Sequence, residues 1–161
     1  MSKIAVVINP IAGGGRGKKV WRVLKPGLHA IFDHIIYRMS NRIDDLEVIT
    51  VQLLAEKPDR LLIIGGDGTL NHVLNGLIDK DKLRSSQTKI AFFNAGCGGD
   101  FIRQFTKQNV TEFLDRLSHN QFINCNIGKS SSLIKIHDIL LILLAVVYRG
   151  KWFRKYPKAN G

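Results

Sequence analysis

The run Leu61-Leu62-Ile63-Ile64 passes without a polar interruption into Gly65-Gly66-Asp67-Gly68-Thr69, after which Leu70 to Ile78 recovers the apolar spacing of a helix. A short apolar run that ends in glycines and is followed by a helix reads as a buried strand whose carboxyl end is left open. The arrangement recurs twice. Lys3 to Ile8 ends at Asn9-Pro10 and Gly13-Gly14-Gly15, and Ile90 to Phe93 ends at Gly96-Cys97-Gly98-Gly99-Asp100. Repeated strand, turn and helix units predict an α/β fold of three layers, a mostly parallel sheet flanked by helices. In such sheets ligands bind beyond the carboxyl ends of the strands, where all three clusters fall.

The remaining elements follow from periodicity. A helix opens near Lys18 with Val20, Trp21, Val23 and Leu24 facing inward, and Pro26-Gly27 bends or restarts it. His34 to Arg38 reads as a second strand, Ile43 to Ala55 as a helix, and Val110 to Leu117 as a helix capped by Thr111. Phe122 to Ile127 reads as a last strand. Beyond Gly128 the character changes: Ser130-Ser131-Ser132 reads as a linker, followed by an apolar stretch and a basic aromatic cluster from Arg149 to Lys158. The predicted organisation is therefore one domain over residues 1–128 and a short apolar and basic segment over 129–161.

The chain has 161 residues and a formal charge of +11, so many lysines and arginines lack an acidic partner and the surface attracts phosphates. Cys97 and Cys125 are too few, and too far from any CxxC spacing, for a disulfide framework or a zinc site, which favours a reducing cytosol. The apolar run at Ile4 to Ile8 stops at Asn9-Pro10, too soon for a signal peptide. Ile139 to Val147 is closely flanked by Asp138 and Arg149, short of the roughly 20 residues of a spanning helix, and reads as a buried or membrane-surface helix.

Glycines let the main chain approach phosphate oxygens, and the free amides and positive end of the following helix then stabilise the anion. Arg16, Lys18 and Lys19 add full charges beside Gly13, Gly14 and Gly15. The segment from Ala12 to Lys19 nearly matches a Walker A loop, but Ala12 replaces its first glycine and Lys19 its serine or threonine, so a P-loop is rejected. The second turn is more specific, because it sets one carboxylate and one hydroxyl among glycines at the end of a buried strand. Asp67 reads as a carboxylate that orients magnesium-bound phosphates or accepts the proton of an attacking hydroxyl, with Thr69 and Asn71 as hydrogen-bonding groups. Its bland alternative is a helix-capping aspartate.

Asn9-Pro10 with the following glycines, Gly65-Gly66-Asp67-Gly68-Thr69-Leu70-Asn71, and Gly96 to Arg103 together resemble the diacylglycerol kinase catalytic-domain family over about residues 3 to 128. The GGDGT turn is shared with NAD kinases and phosphofructokinases, but Asn9-Pro10 before the glycine loop favours the lipid-kinase branch. The resemblance implies transfer of the terminal phosphate of ATP, with Mg2+, to a lipid hydroxyl. It implies nucleotide contacts from Asn9 and Pro10 to Gly13, from Gly66 to Asn71, and near Cys97, with Ser40 where a threonine contacts the nucleotide. Asp67 and Asp100 are the catalytic acids it suggests.

This sequence departs from the family pattern in places. Asn94, Cys97 and Gly99 stand where the third motif has proline, threonine and asparagine, whereas Asp100, Phe101 and Arg103 are kept, and His72 replaces a glutamate. Family members also add a second, β-rich domain with further acidic groups, whereas after Asp115 the only acidic residue here is Asp138. No Asp-Gly-Glu motif occurs, so the carboxylates for structural magnesium and the proton-accepting glutamate have no counterpart. Leu140 to Tyr156 resembles a helix of that second domain, which suggests a shortened sequence.

His29, His34, His119 and His137 lack neighbours at ligand spacing and read as ordinary surface or partly buried residues. Trp152, Phe153 and Tyr156 among basic residues fit a bilayer interface or nucleic-acid bases; beside a lipid-kinase head the membrane surface is preferred. Two competing functions remain: an ATP-binding fragment without turnover, motivated by the missing acidic domain, and a nucleic-acid module, motivated by net charge alone.

Overall fold

The computed structural model describes residues 2–80, 82–97, 109–129 and 132–140. In chain order the elements are β1 (Lys3–Ile8), α1 (Ala12–Ile31), β2 (His34–Met39), α2 (Asp45–Ala55), β3 (Arg60–Gly65), α3 (Asp67–Leu77), β4 (Ile78–Asp79), β5 (Lys82–Leu83), β6 (Lys89–Asn94), α4 (Val110–Ser118), β7 (Ile123–Lys129) and β8 (Ser132–Leu140). The main sheet has the order β2-β1-β3-β6-β8-β7. β2, β1, β3 and β6 run parallel, β8 joins parallel to β6, and β7 closes the edge antiparallel to β8. β4 and β5 form a separate antiparallel pair.

After their first residues, Lys3 and Arg60, β1 and β3 carry no polar side chain because both of their faces are covered, and a strand buried on both sides has no polar phase. Ala5, Val7, Leu61, Ile63, Ile90 and Phe92 pack against Leu46, Leu53 and Leu54 of α2 and Leu70, Val73, Leu74 and Leu77 of α3. Their alternates Ile4, Val6, Ile8, Leu62, Ile64, Ala91 and Phe93 pack against Trp21, Leu24 and Leu28 of α1 and Phe113 and Leu117 of α4. The three-layer architecture follows, and burying each Leu or Ile side chain contributes about 1.5–3 kcal/mol.

Several local expectations are corrected. α1 begins at Ala12, ahead of Lys18, but Gly13, Gly14 and Gly15 have φ of 59°, 68° and 93°, so its regular part starts only after them. The helix continues through Pro26 to Ile31. Gly27 serves packing: a Cβ there would lie 2.3 Å from Leu114 Cδ1, so its absence lets α1 approach α4. Val23 is 58% exposed because the buried stripe runs through Gly17, Trp21, Leu24 and Leu28, and Val23 falls off that period. α4 is capped by Asn109, whose side chain accepts a 2.9 Å hydrogen bond from the Thr111 amide. α2 starts at Asp45, whose carboxylate accepts hydrogen bonds from the Asn41 and Arg42 amides.

The largest difference lies after α4. β7 is not the last strand, and Ser132 already pairs with Lys129 in a β7–β8 hairpin instead of standing in a linker. Ile139 and Leu140 end a strand and do not open a helix. The sequence Leu133-Ile134-Lys135-Ile136-His137 alternates with β-branched residues, a strand signal that the longer apolar run obscures. Ser130 and Ser131, the rest of the apolar run and the basic aromatic cluster lie outside the described residues.

Candidate functional site

Parallel registration brings the strand ends level. Ile8 pairs with Met39 and with Ile64, Ile64 with Phe93, and Gly65 with Asn94. The ladder runs one residue further, with Asn9 N donating to Ile64 O at 2.9 Å, Ser40 N to Ile8 O at 2.9 Å and Ala95 N to Gly65 O at 2.7 Å. Asn9, Ser40, Gly66 and Ala95 therefore leave the sheet along one carboxyl edge, as the sequence requires of a shared site.

The first loop folds back on itself through three left-handed glycines, a conformation that costs residues with a Cβ roughly 1–2 kcal/mol each. Gly13 is also required sterically, because a Cβ there would lie 2.1 Å from the carbonyl oxygen of Ala95 in the third turn. Gly14 has nothing within 4 Å and borders open space. The Arg16 guanidinium donates to the Gly96 carbonyl, so the first loop is tied to the third.

In the second turn Gly66 is the N-cap of α3 and supplies no side-chain bond to its amides. Asp67 is the first helical residue, and the Leu70 amide donates to Gly66 O at 3.0 Å. Thr69 turns inward, and its hydroxyl accepts a 2.9 Å hydrogen bond from Asn9 Nδ2. Gly68 faces Ile43 Cδ1 at 3.7 Å. Asn71 Oδ1 is buried with no partner among the described residues. In the third turn Gly96 N donates to Asn94 Oδ1 at 2.9 Å, and a Cβ on Gly66 would lie 3.1 Å from Gly96 Cα. Cys97 is exposed.

The structure thus joins Asn9, Gly13, Arg16, Gly65, Gly66, Thr69 and Gly96 through direct contacts. Pro10, Gly14 and Gly15 lie in the same first loop, Gly68 and Asn71 lie in α3, Cys97 follows Gly96, and Ser40 sits buried at the end of β2. Asp100, with Gly98, Gly99, Phe101 and Arg103, lies outside the described residues. Sequence reasoning missed Gly17, where a Cβ would lie 1.9 Å from the carbonyl oxygen of Asn9. It also missed the Glu47–His72 contact of 3.2 Å between α2 and α3, which occupies the histidine that departs from the family pattern.

Chemically, this edge offers the start of α3, which has no side-chain cap, the amides of Gly13 and Gly14 and the positive charges of Arg16, Lys18 and Lys19 nearby in the sequence, groups of the kind that attract an anion. Among the described residues no cluster of three or more His, Cys, Asp or Glu could cage a metal. No described helix is long and apolar enough to cross a membrane.

Comparison with known proteins agrees with this geometry. Residues 3–130 match the model of the diacylglycerol kinase catalytic domain. YtlR of Bacillus subtilis (strain 168), which carries a lipid-kinase name, is 32% identical over 114 residues, covering 68% of this chain and 35% of its own. A diacylglycerol kinase of Staphylococcus carnosus (strain TM300) is 27% identical over 129 residues, covering 79% of this chain and 40% of its own. The crystal structure of a diacylglycerol kinase from Bacillus anthracis str. Sterne superposes with a TM-score of 0.64 at 25% identity, covering 78% of this chain and 44% of that one. The chain thus spans less than half the length of each of these proteins. A match over most of this chain, with the glycine turns assembled along one sheet edge, makes it a member of the diacylglycerol kinase catalytic-domain family.

Proposed function

We propose that the chain binds ATP along the carboxyl edge of the sheet and contributes to transfer of its terminal phosphate to a lipid hydroxyl of the diacylglycerol or sphingoid type. The observation that carries this reading is the convergence of three glycine turns beside Asp67, the first helical residue of α3. Relatives bearing diacylglycerol kinase and sphingoid long chain base kinase names support the substrate class. In this reading the amides of Gly13 and Gly14 and of the start of α3 bind the phosphates, the Gly15 amide being donated to the Ile11 carbonyl at 3.2 Å, and Arg16, Lys18 and Lys19 neutralise their charge. Asp67 would hold magnesium brought in by the nucleotide, which lowers the charge on the transferring group. The lipid hydroxyl oxygen forms the new bond to the terminal phosphorus, the bond to the ADP oxygen breaks, and the hydroxyl proton passes to a carboxylate, Asp100 if Asp67 holds the magnesium and Asp67 otherwise.

In this account the strands of the main sheet, through Leu140 at the end of β8, belong to the nucleotide-binding domain, and the sequence from 141 to 161 belongs with a second lobe that covers the lipid. The acceptor is met at the cytoplasmic face of a membrane, where the basic aromatic cluster from Arg149 to Lys158 meets lipid phosphates. The test is transfer of labelled phosphate from ATP to diacylglycerol and, separately, to sphingosine in mixed micelles. Transfer by the wild-type chain and none by Asp67→Asn is expected. Equal signal from the two would refute the assignment.

A further inference from the structure

We infer that Asn9 and Thr69 are positioning residues: the Asn9 amide nitrogen and the Thr69 hydroxyl bind each other and fix the first glycine loop against α3, so these two groups hold the site together and are not spent on the nucleotide. Asn9 is 9% exposed and Thr69 2%, and the 2.9 Å bond from Asn9 Nδ2 to Thr69 Oγ1 joins them beneath the edge. Motif position alone would make both of them ligand contacts, but side chains buried to this degree have little surface left to offer one.

Two glycines clear the space for this bridge. A Cβ on Gly65 would lie 2.4 Å from the Thr69 side chain, so only glycine lets Thr69 tuck against the strand end. A Cβ on Gly17 would lie 1.9 Å from the Asn9 carbonyl, so only glycine lets the start of α1 close over Asn9. Gly65 and Gly17 are thus packing glycines that serve Asn9 and Thr69, distinct from Gly14, which has open space before it. Asn9 Oδ1 has no partner among the described residues, so the bond to Thr69 accounts for the amide's described side-chain hydrogen bonding. Holding the first loop and α3 in one register aims both sets of amides at the same volume, which is how a preorganised anion site gains over a flexible one.

The inference rests on the reading of this edge as a nucleotide site, and its test uses two readouts so that the failures separate. The first needs no nucleotide: limited trypsin cleavage where the first loop enters α1, after Arg16, Lys18 and Lys19. Thr69→Val keeps the shape and removes the hydroxyl, Thr69→Ser keeps the hydroxyl, and Asn9→Ala removes the amide. Loop cleavage is expected to accelerate in Thr69→Val and Asn9→Ala, with the wild-type rate restored in Thr69→Ser. Unchanged loop cleavage in Thr69→Val overturns the inference whatever the nucleotide does. The second readout is titration with MgATP, in which Thr69→Val weakens binding by about tenfold, the scale of a lost buried hydrogen bond. Combining it with Asn9→Ala should add little, because both remove one bond. Losses that multiply would mean that each side chain touches the nucleotide independently and would overturn the inference. A wild-type chain that binds no MgATP would sink the proposed function, leaving the bridge to be judged on proteolysis.

Discussion

Gly66 and Gly96 meet backbone to backbone: a Cβ on Gly96 would lie 2.6 Å from the Cα of Gly66, an approach that no side chain of either residue could survive unmoved. The second and third turns therefore touch through their main chains. Gly96→Ala should push the two turns apart and cost about 1–3 kcal/mol, as overpacking of a close contact does. Val48→Ala, at a 59% exposed position of α2 away from the turns, is the control and should stay within about 0.5 kcal/mol. Titration with MgATP should separate them, with binding lost in Gly96→Ala and kept in Val48→Ala. Equal weakening would show that the contact between the turns is irrelevant.

On the face of the sheet covered by α1 and α4, Phe93 and Phe113 pack edge to face with ring centroids 5.1 Å apart. Phe93 lies on the last strand before the third turn, so this pair anchors the turn from below. Phe113→Ala should destabilise the fold by about 3–5 kcal/mol, the cost of an aromatic cavity. Val23→Ala, on the exposed side of α1, should stay within about 0.5 kcal/mol. Denaturant unfolding of the two variants checks both values, and a similar loss in each would mean that α1 is packed differently.

The parts legible in the sequence are those where one physical constraint dominates. β1, β3 and β6 are apolar because both faces are covered, and the glycine clusters mark strand ends because few other residues permit such turns. The hairpin of β4 and β5 escaped because two residues per strand carry no period. β8 escaped because the apolar run that continues beyond it outweighed the alternation within it. The caps were confused because Asn109 and Thr111 are both good capping residues, and only the extended backbone at Asn109 decides between them. Within the candidate site, residue type told which positions are polar but not which way they turn. Thr69 and Asn71 share a motif, yet Thr69 bonds to Asn9, whereas Asn71 Oδ1 has no described partner.

Away from the site, Asp33 ties the end of α1 to the start of β1. Its carboxylate accepts a 2.6 Å hydrogen bond from the Ser2 amide, and that bond, ahead of the opposing effect of burial, holds its pKa below the ordinary 3.8. Because the folded value lies below the unfolded one, Asp33 contributes stability above the ordinary carboxylate range and loses it as pH falls through the folded value. Asp33→Asn should therefore be less stable than wild type at neutral pH, with the gap closing in acid. Thermal unfolding across that range checks it, and a gap that widens in acid would reverse the sign assigned to the group.

Asp67 is the sharpest test of the chemistry. As the first residue of α3 it interacts favourably with the helix dipole, a contribution of about 0.3–1 kcal/mol that any acidic N-terminal residue would make. That alone predicts a small fall in melting temperature for Asp67→Asn and no effect on phosphate transfer. A carboxylate that takes part in transfer predicts the opposite pattern, with a rate loss of about 10²-fold or more and near-native stability, since asparagine keeps the shape and remains acceptable at a helix start. The second pattern is expected. Measuring transfer rate and melting temperature on the same preparation distinguishes the two, and a variant that melts earlier but transfers phosphate at the wild-type rate would reduce Asp67 to a helix-stabilising acid.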